Sequence, residues 1–156
     1  MNIADMNPVT NPELIKAINK AKENPDQANS NRMLNEVVKA NFLIPIKMES
    51  TIAVDGQGYS EVENANINFE LLRANTGNIY YPVFTDVQEM KKCAVDKNQS
   101  SMIVNFDDLA SMLLQPMNAI AGFVINPMGE NVCFSVQMIA AMKKDMMKKG
   151  IDKEKN

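Results

Sequence analysis

The stretch IYYPVFTDVQEMKKCAVDKNQSSMIVNFDDLASMLLQPMNAIAGFVINPMGENVCF, residues 79–134, decides the fold class. It reads as a short apolar strand from Ile79 to Phe84, then a helix carrying Val87, Met90 and Ala94 behind a cap at Thr85 or Asp86. Ser101 to Phe106 is a second apolar strand, and Asp107 or Asp108 opens a helix with Leu109, Met112 and Leu113 that Pro116 terminates. Gly122 to Ile125 is a third strand. The six residues from Asn126 to Asn131 are turn chemistry that returns the chain into Val132–Phe134. Strand–helix–strand–helix–strand with short links predicts right-handed crossovers, so the three strands are expected to share one sheet and run parallel. The last turn is long enough only for a hairpin, which makes Val132–Phe134 antiparallel.

Upstream, the period is 2 rather than 3.6. Phe42, Ile44, Ile46 and Met48 alternate with Leu43, Pro45, Lys47 and Glu49 as a half-buried strand. Pro45 has no N–H to give a ladder, which predicts an edge or one-sided pairing there. A polar excursion with its main turn at Asp55-Gly56-Gln57-Gly58 ends near Ala65. Ile67, Phe69 and Leu71 then alternate, and Asn75-Thr76-Gly77-Asn78 turns this strand into Ile79–Phe84, predicting an antiparallel meander. Two Asn-Pro starts, at Asn11-Pro12-Glu13 and Asn24-Pro25-Asp26, open helices with apolar stripes Leu14, Ile15, Ile18, Ala21 and Met33, Leu34, Val37, Val38. A final helix is predicted from about Ser135 to Lys149. The expected architecture is α+β (mixed α/β): a single mixed sheet, antiparallel meander plus βαβ segment, covered by helices. Residues 11–149 form the one domain, 1–10 an N-terminal arm and 150–156 a solvated C-terminal tail.

Composition narrows the chemistry. The chain has 156 residues, enough for one domain, with 46% hydrophobic and 22% charged residues as in ordinary globular proteins. There is no His, which removes His-based catalysis, His metal ligands and the imidazole pH switch together. A net charge of −3 argues against nucleic-acid binding, and only Arg32 and Arg73 supply guanidinium forks. The first residues lack a basic n-region and an apolar h-region, so no signal peptide is expected, and no run is apolar enough to span a bilayer. Cys93 and Cys133, 40 positions apart, read as reduced small hydrophobes of a cytoplasmic protein.

Three strings carry a resemblance: Tyr81-Pro82-Val83-Phe84-Thr85-Asp86, Val104-Asn105-Phe106-Asp107-Asp108-Leu109-Ala110, and Val124-Ile125-Asn126-Pro127-Met128-Gly129-Glu130-Asn131. Their order and pattern resemble the SseB family of the enhanced-serine-sensitivity type, in its N-terminal domain, over roughly Asn11 to Lys144. The resemblance implies a cytoplasmic bacterial protein with no established enzymatic activity, named for a growth phenotype with serine. Longer members carry a second, C-terminal domain for which this chain has no room.

Parallel strands would bring Thr85, Asp86, Asp107, Asp108, Asn126 and Gly129 to one rim, where open α/β sheets place ligand crevices. Ordinary capping and turn chemistry accounts for the same residues. The acids lack the dense spacing of a calcium loop, so no metal and no cofactor are expected, and no residue is assigned as catalytic. On the last helix Val136, Ile139, Ala140, Met142 and Met146 mark an apolar side and Lys143, Lys144, Lys148 and Lys149 a basic end. Met138, Met142, Met146 and Met147 serve either as core filler or as an adaptable partner face; Met138, Met142 and Met146 are the candidate face. The expected function is a non-catalytic binding or regulatory module acting through an unknown protein partner or a separately encoded second domain. The alternatives are an acid-dependent hydrolase or transferase using Asp107 or Asp108, and a structural oligomerisation protein.

Overall fold

The computed structural model describes residues 8–49, 52–55, 58–61, 66–93 and 99–154, with backbone alone for 48–49, 52–55, 58–61, 66–67 and 149–154. The element order is α1 (Pro12–Glu23), α2 (Gln27–Lys39), β1 (Asn41–Glu49), β2 (Ile52–Asp55), β3 (Gly58–Glu61), β4 (Asn66–Phe69), β5 (Leu72–Arg73), β6 (Ile79–Val83), α3 (Val87–Cys93), β7 (Ser100–Asn105), α4 (Phe106–Leu113), β8 (Gly122–Ile125), β9 (Val132–Ser135) and α5 (Val136–Glu154). The class is α+β, as the periodicity predicts.

The strands do not form a single mixed sheet. One sheet has the order β4-β1-β7, all antiparallel; another has the order β5-β6-β8-β9, with β6 and β8 parallel and β9 antiparallel to β8. Among the described residues a single antiparallel bridge, Leu43 to Phe84, joins them through two backbone hydrogen bonds of 2.9 and 2.8 Å. The expected placement of Met102–Phe106 beside the other two parallel strands is therefore corrected: β7 lies against β1. Its direction is as predicted, because β1 is antiparallel both to β7 and to the end of β6. A crossover helix is about 10 Å across and strands are about 4.8 Å apart, so a helical connection fixes direction without fixing adjacency.

The meander also divides. The strand expected through Leu71 ends at Phe69, where β4 pairs with β1, and the hairpin into β6 is made by the two residues of β5, closed by Ala74–Asn78 with Gly77 at φ +92°. The polar excursion contains a further antiparallel pair, β2 with β3, in the register Asp55 to Gly58. Its turn residues Gly56 and Gln57 lie outside the described residues, as do 62–65 and Ala94. Pro45 behaves as its chemistry demands: it pairs with Ser101 of β7, and the β4 ladder begins one residue further on, at Ile46.

Two cores explain why β1 carries an unbroken apolar run. Phe42 and Ile44 face α1, α2, α4 and α5, where Leu14, Ile18, Val37, Leu109, Leu113 and Ile139 are buried with Phe123 and Phe134. Phe123 and Phe134 stack with centroids 5.0 Å apart. On the opposite face Leu43 and Phe84 pack with Met90 of α3 and with Val9. Val9 thus docks part of the segment read as an arm, while residues 1–7 lie outside the described residues. Helix α5 continues through Gly150 to Glu154, past the predicted end at Lys149. The side chains of 149–154 and residues 155–156, most of the expected tail, lie outside the described residues. No helix among the described residues is long and apolar enough to cross a membrane.

Candidate functional site

The C-terminal ends of β6 and β8 meet because the strands are parallel in the register Val83 to Ile125. The next residue on each, Phe84 apart, is polar and fully buried: Thr85 and Asn126. Asn126 takes a left-handed conformation, φ +50°, which asparagine tolerates better than most residues. Its backbone N–H donates to Val83 O at 2.9 Å, and its carbonyl accepts from Gly129 N at 2.8 Å and Asn131 N at 2.9 Å. Its side chain is equally committed. Oδ1 accepts from Thr85 N at 3.0 Å, and Nδ2 donates to Thr85 Oγ1 at 2.9 Å and to Glu130 Oε1 at 2.8 Å. Thr85 Oγ1 in turn donates to Asp86 Oδ2 at 3.0 Å, and Asp86 Oδ1 caps α3 by accepting from Glu89 N at 2.9 Å.

Asn11 extends this brace. It sits at the first helix start without capping it, and its Nδ2 donates to both Asn41 O and Thr85 O at 2.8 Å. One amide thereby ties α1 to β1 and to the end of β6. Lys22 Nζ donates to the Glu130 carbonyl from the same helix.

Beneath the turn lies Glu89. Oε1 pairs with Lys92 Nζ at 2.8 Å, while Oε2 is shielded from solvent and accepts no hydrogen bond among the described residues. A Cβ at Gly129 would come within 2.9 Å of that oxygen, so a larger residue there would displace the Glu89 carboxylate. The hydrogen bond that Lys92 donates to Glu89 holds its ammonium above its ordinary range. Burial pushes the Cys93 thiol up, and the Met128 backbone only partly opposes it. Cys93 and Cys133 are both free. Among the described residues no group of three or more Cys, Asp or Glu is placed to hold a metal ion.

Asp107 and Asp108 reach the same end of the fold but not this cluster, because β1 lies between β7 and β6. Neither opens α4. Asn105 is the N-cap, its Oδ1 accepting from Asp108 N at 2.9 Å while Asp108 Oδ2 accepts from Asn105 N at 3.0 Å, a reciprocal capping box. Asp107 pairs with Lys143 of α5 at 2.9 Å. The signal was present in the sequence as Asn followed three residues later by an acid. Replacing Asn105 by alanine is expected to cost about 1 kcal/mol, read as a lower urea midpoint with unchanged slope.

The methionine face is reduced to one member. Met142 and Met146 pack against the core with Val136 and Ile139, while Met138 is exposed. Ala140, expected on the apolar side, is exposed as well. Other apolar groups are displayed too: Met117 on the α4–β8 loop, Met128 on the β8–β9 turn and Met147 on α5 more than Met138, and Leu114 to a similar degree. Met117 is fully exposed at φ +64°. Asn118 holds the loop rigid behind it, donating from Nδ2 to Leu113 O at 2.9 Å and Ile120 O at 2.7 Å and accepting from Ile120 N at 2.9 Å.

The family model described as the SseB protein N-terminal domain matches residues 14–141. The chain belongs to this family. The SseB match runs from the first turn of α1 into α5, so it takes in every described strand and the Thr85–Asn126 pair, with Asn11 just outside it. No curated protein and no solved structure matches the chain. The SseB assignment speaks for the domain and carries no activity with it.

Proposed function

We propose that this SseB domain is a non-catalytic binding or regulatory module that acts through contact with another protein, with the α4–β8 loop as the contact. The observation that carries this reading is Met117: an apolar side chain fully exposed at the tip of a loop, on a left-handed backbone, with Asn118 bracing it. Left-handed backbone costs a non-glycine residue roughly 1–2 kcal/mol, and nothing inside the described fold is packed by Met117 in return. Leu114 adds a second exposed apolar group three positions away. Methionine adapts its shape to a partner, and a rigid loop lowers the ordering cost of binding. The rim residues favour this reading from the other side. Thr85, Asp86, Asn126 and Asp108 spend their polar groups on caps and cross-links, and Asp107 on an ion pair, which runs against an acid-dependent hydrolase or transferase.

The test is affinity capture with quantitative mass spectrometry, comparing the natural chain with a Leu114→Ser, Met117→Ser double variant. A specific protein retained by the first and depleted at least about tenfold by the second is expected, a loss of about 1.4 kcal/mol or more. Equal retention by both, with the variant folded, would contradict the proposed contact.

A further inference from the structure

The β4-β1-β7 sheet ends on β7, and no strand pairs with its outer edge among the described residues. The direction in which each backbone group of β7 points follows from its neighbour. Leu43 of β1 exchanges both hydrogen bonds with Phe84, and the Pro45 carbonyl accepts from Glu70 N, so odd-numbered residues there turn away from β7. Antiparallel ladders alternate, so Phe42, Ile44 and Ile46 turn toward β7 and bond to their partners Val104, Met102 and Ser100. That leaves the N–H and C=O groups of Ser101 and Ile103 directed outward. The outward N–H of Asn105 is already taken by Asp108.

We infer that this edge is completed by the same edge of a second copy of the chain, in an antiparallel two-fold pairing. The register that satisfies both outward residues sets Ser101 of each copy opposite Ile103 of the other, with Met102 facing Met102 on the axis. Each opposed pair exchanges two hydrogen bonds, so two pairs make four. A self-pairing edge must not set like charges against each other, and Gln99 to Phe106 contains no charged residue. The edge also lacks the lysine, proline or bulge that guard exposed strands, and at six residues it is longer than the four-residue edges β4 and β9. Met102 and Ile103 are half-buried in the single chain, and the pairing covers surface that each still exposes. An isologous contact uses one patch twice, so this surface needs no second specificity. The pairing is separate from the α4–β8 loop contact and stands or falls without it.

Light scattering on the eluting protein across a concentration series tests the pairing. The mass is expected to rise from that of one chain, 17.4 kDa, to twice that value. Ser101→Pro removes an N–H that the β1 ladder does not use, so this variant is expected to keep its circular dichroism and elute as a monomer. A natural chain that stays monomeric at every concentration overturns the inference, and so does a folded Ser101→Pro variant that still dimerises. If Ser101→Pro does not fold, hydrogen exchange of the natural chain decides. Exchange at the Ser101 and Ile103 amides that slows with concentration supports the pairing, and exchange independent of concentration overturns it.

Discussion

Replacing Gly122 by alanine is expected to lower the stability of the fold by at least about 3 kcal/mol, beyond the usual range for overpacking a core, and to leave most of the expressed protein insoluble. A Cβ there would run into the carbonyl oxygen of Phe134 and stand 2.9 Å from its carbon. Both are backbone atoms of the neighbouring strand, so no rotamer change relieves the contact. Relief requires parting β8 from β9 at the Gly122–Ser135 pair, next to the stacked rings of Phe123 and Phe134. Domains of this size are stable by only about 5–15 kcal/mol, so the loss is a large share of the whole. Urea unfolding of the refolded variant checks it, and a midpoint within error of the natural chain would show that β8 and β9 do not approach so closely.

Asn126→Ala is expected to cost about 2–4 kcal/mol, from two separable sources. The buried Thr85 N–H loses its acceptor, and alanine inherits a left-handed backbone. Asn126→Gly removes the second cost and keeps the first, so it should recover about 1 kcal/mol relative to alanine. Asn126→Asp retains an acceptor for Thr85 N but loses the donor to Glu130 and sets two carboxylates side by side. It should be less stable than the natural chain at neutral pH. Chemical unfolding of the three variants orders them, and a natural-like Asn126→Ala would remove the brace from the account.

The fold was legible where local physics decides it. Alternation marked β1, short apolar runs marked β6 and β8, Gly77 marked the hairpin into β6, and Pro45 announced its one-sided pairing. Neighbour order was not legible, because the α3 connection that passes from β6 to β7 says which way β7 points and not that β1 lies between them. The run Phe42–Ile46 did hold the missing signal. Every residue in it is buried, as suits a strand covered on both faces, whereas alternation alone reads it as half-buried. At the rim, residue types were legible and roles were not. Thr85 and Asn126 were candidates for a ligand, yet each is the other's hydrogen-bond partner, 41 positions away in sequence. Asn105 is masked in the sequence by the two aspartates after it, although the reciprocal cap needs the Asn and the second Asp together. The α4–β8 loop gave no sign beyond Pro116, since left-handed backbone at a methionine is not written in its sequence.

Two ends of the molecule therefore do different work in this account. The C-terminal ends of β6 and β8 are braced by Asn11, Thr85, Asp86, Asn126 and Glu130, while the loop leading into the opposite end of β8 presents Leu114 and Met117. The central claim is that the partner is met at the loop and not at the rim. Site-specific photocrosslinking in living cells tests it most directly, with a photoreactive amino acid introduced in place of Met117 in one variant and of Asp107 in another. Both sites are exposed, so both substitutions are tolerable to the fold. A light-dependent adduct with another protein from position 117, and none from position 107, is the predicted result. Adducts from position 107 with none from position 117 would contradict it.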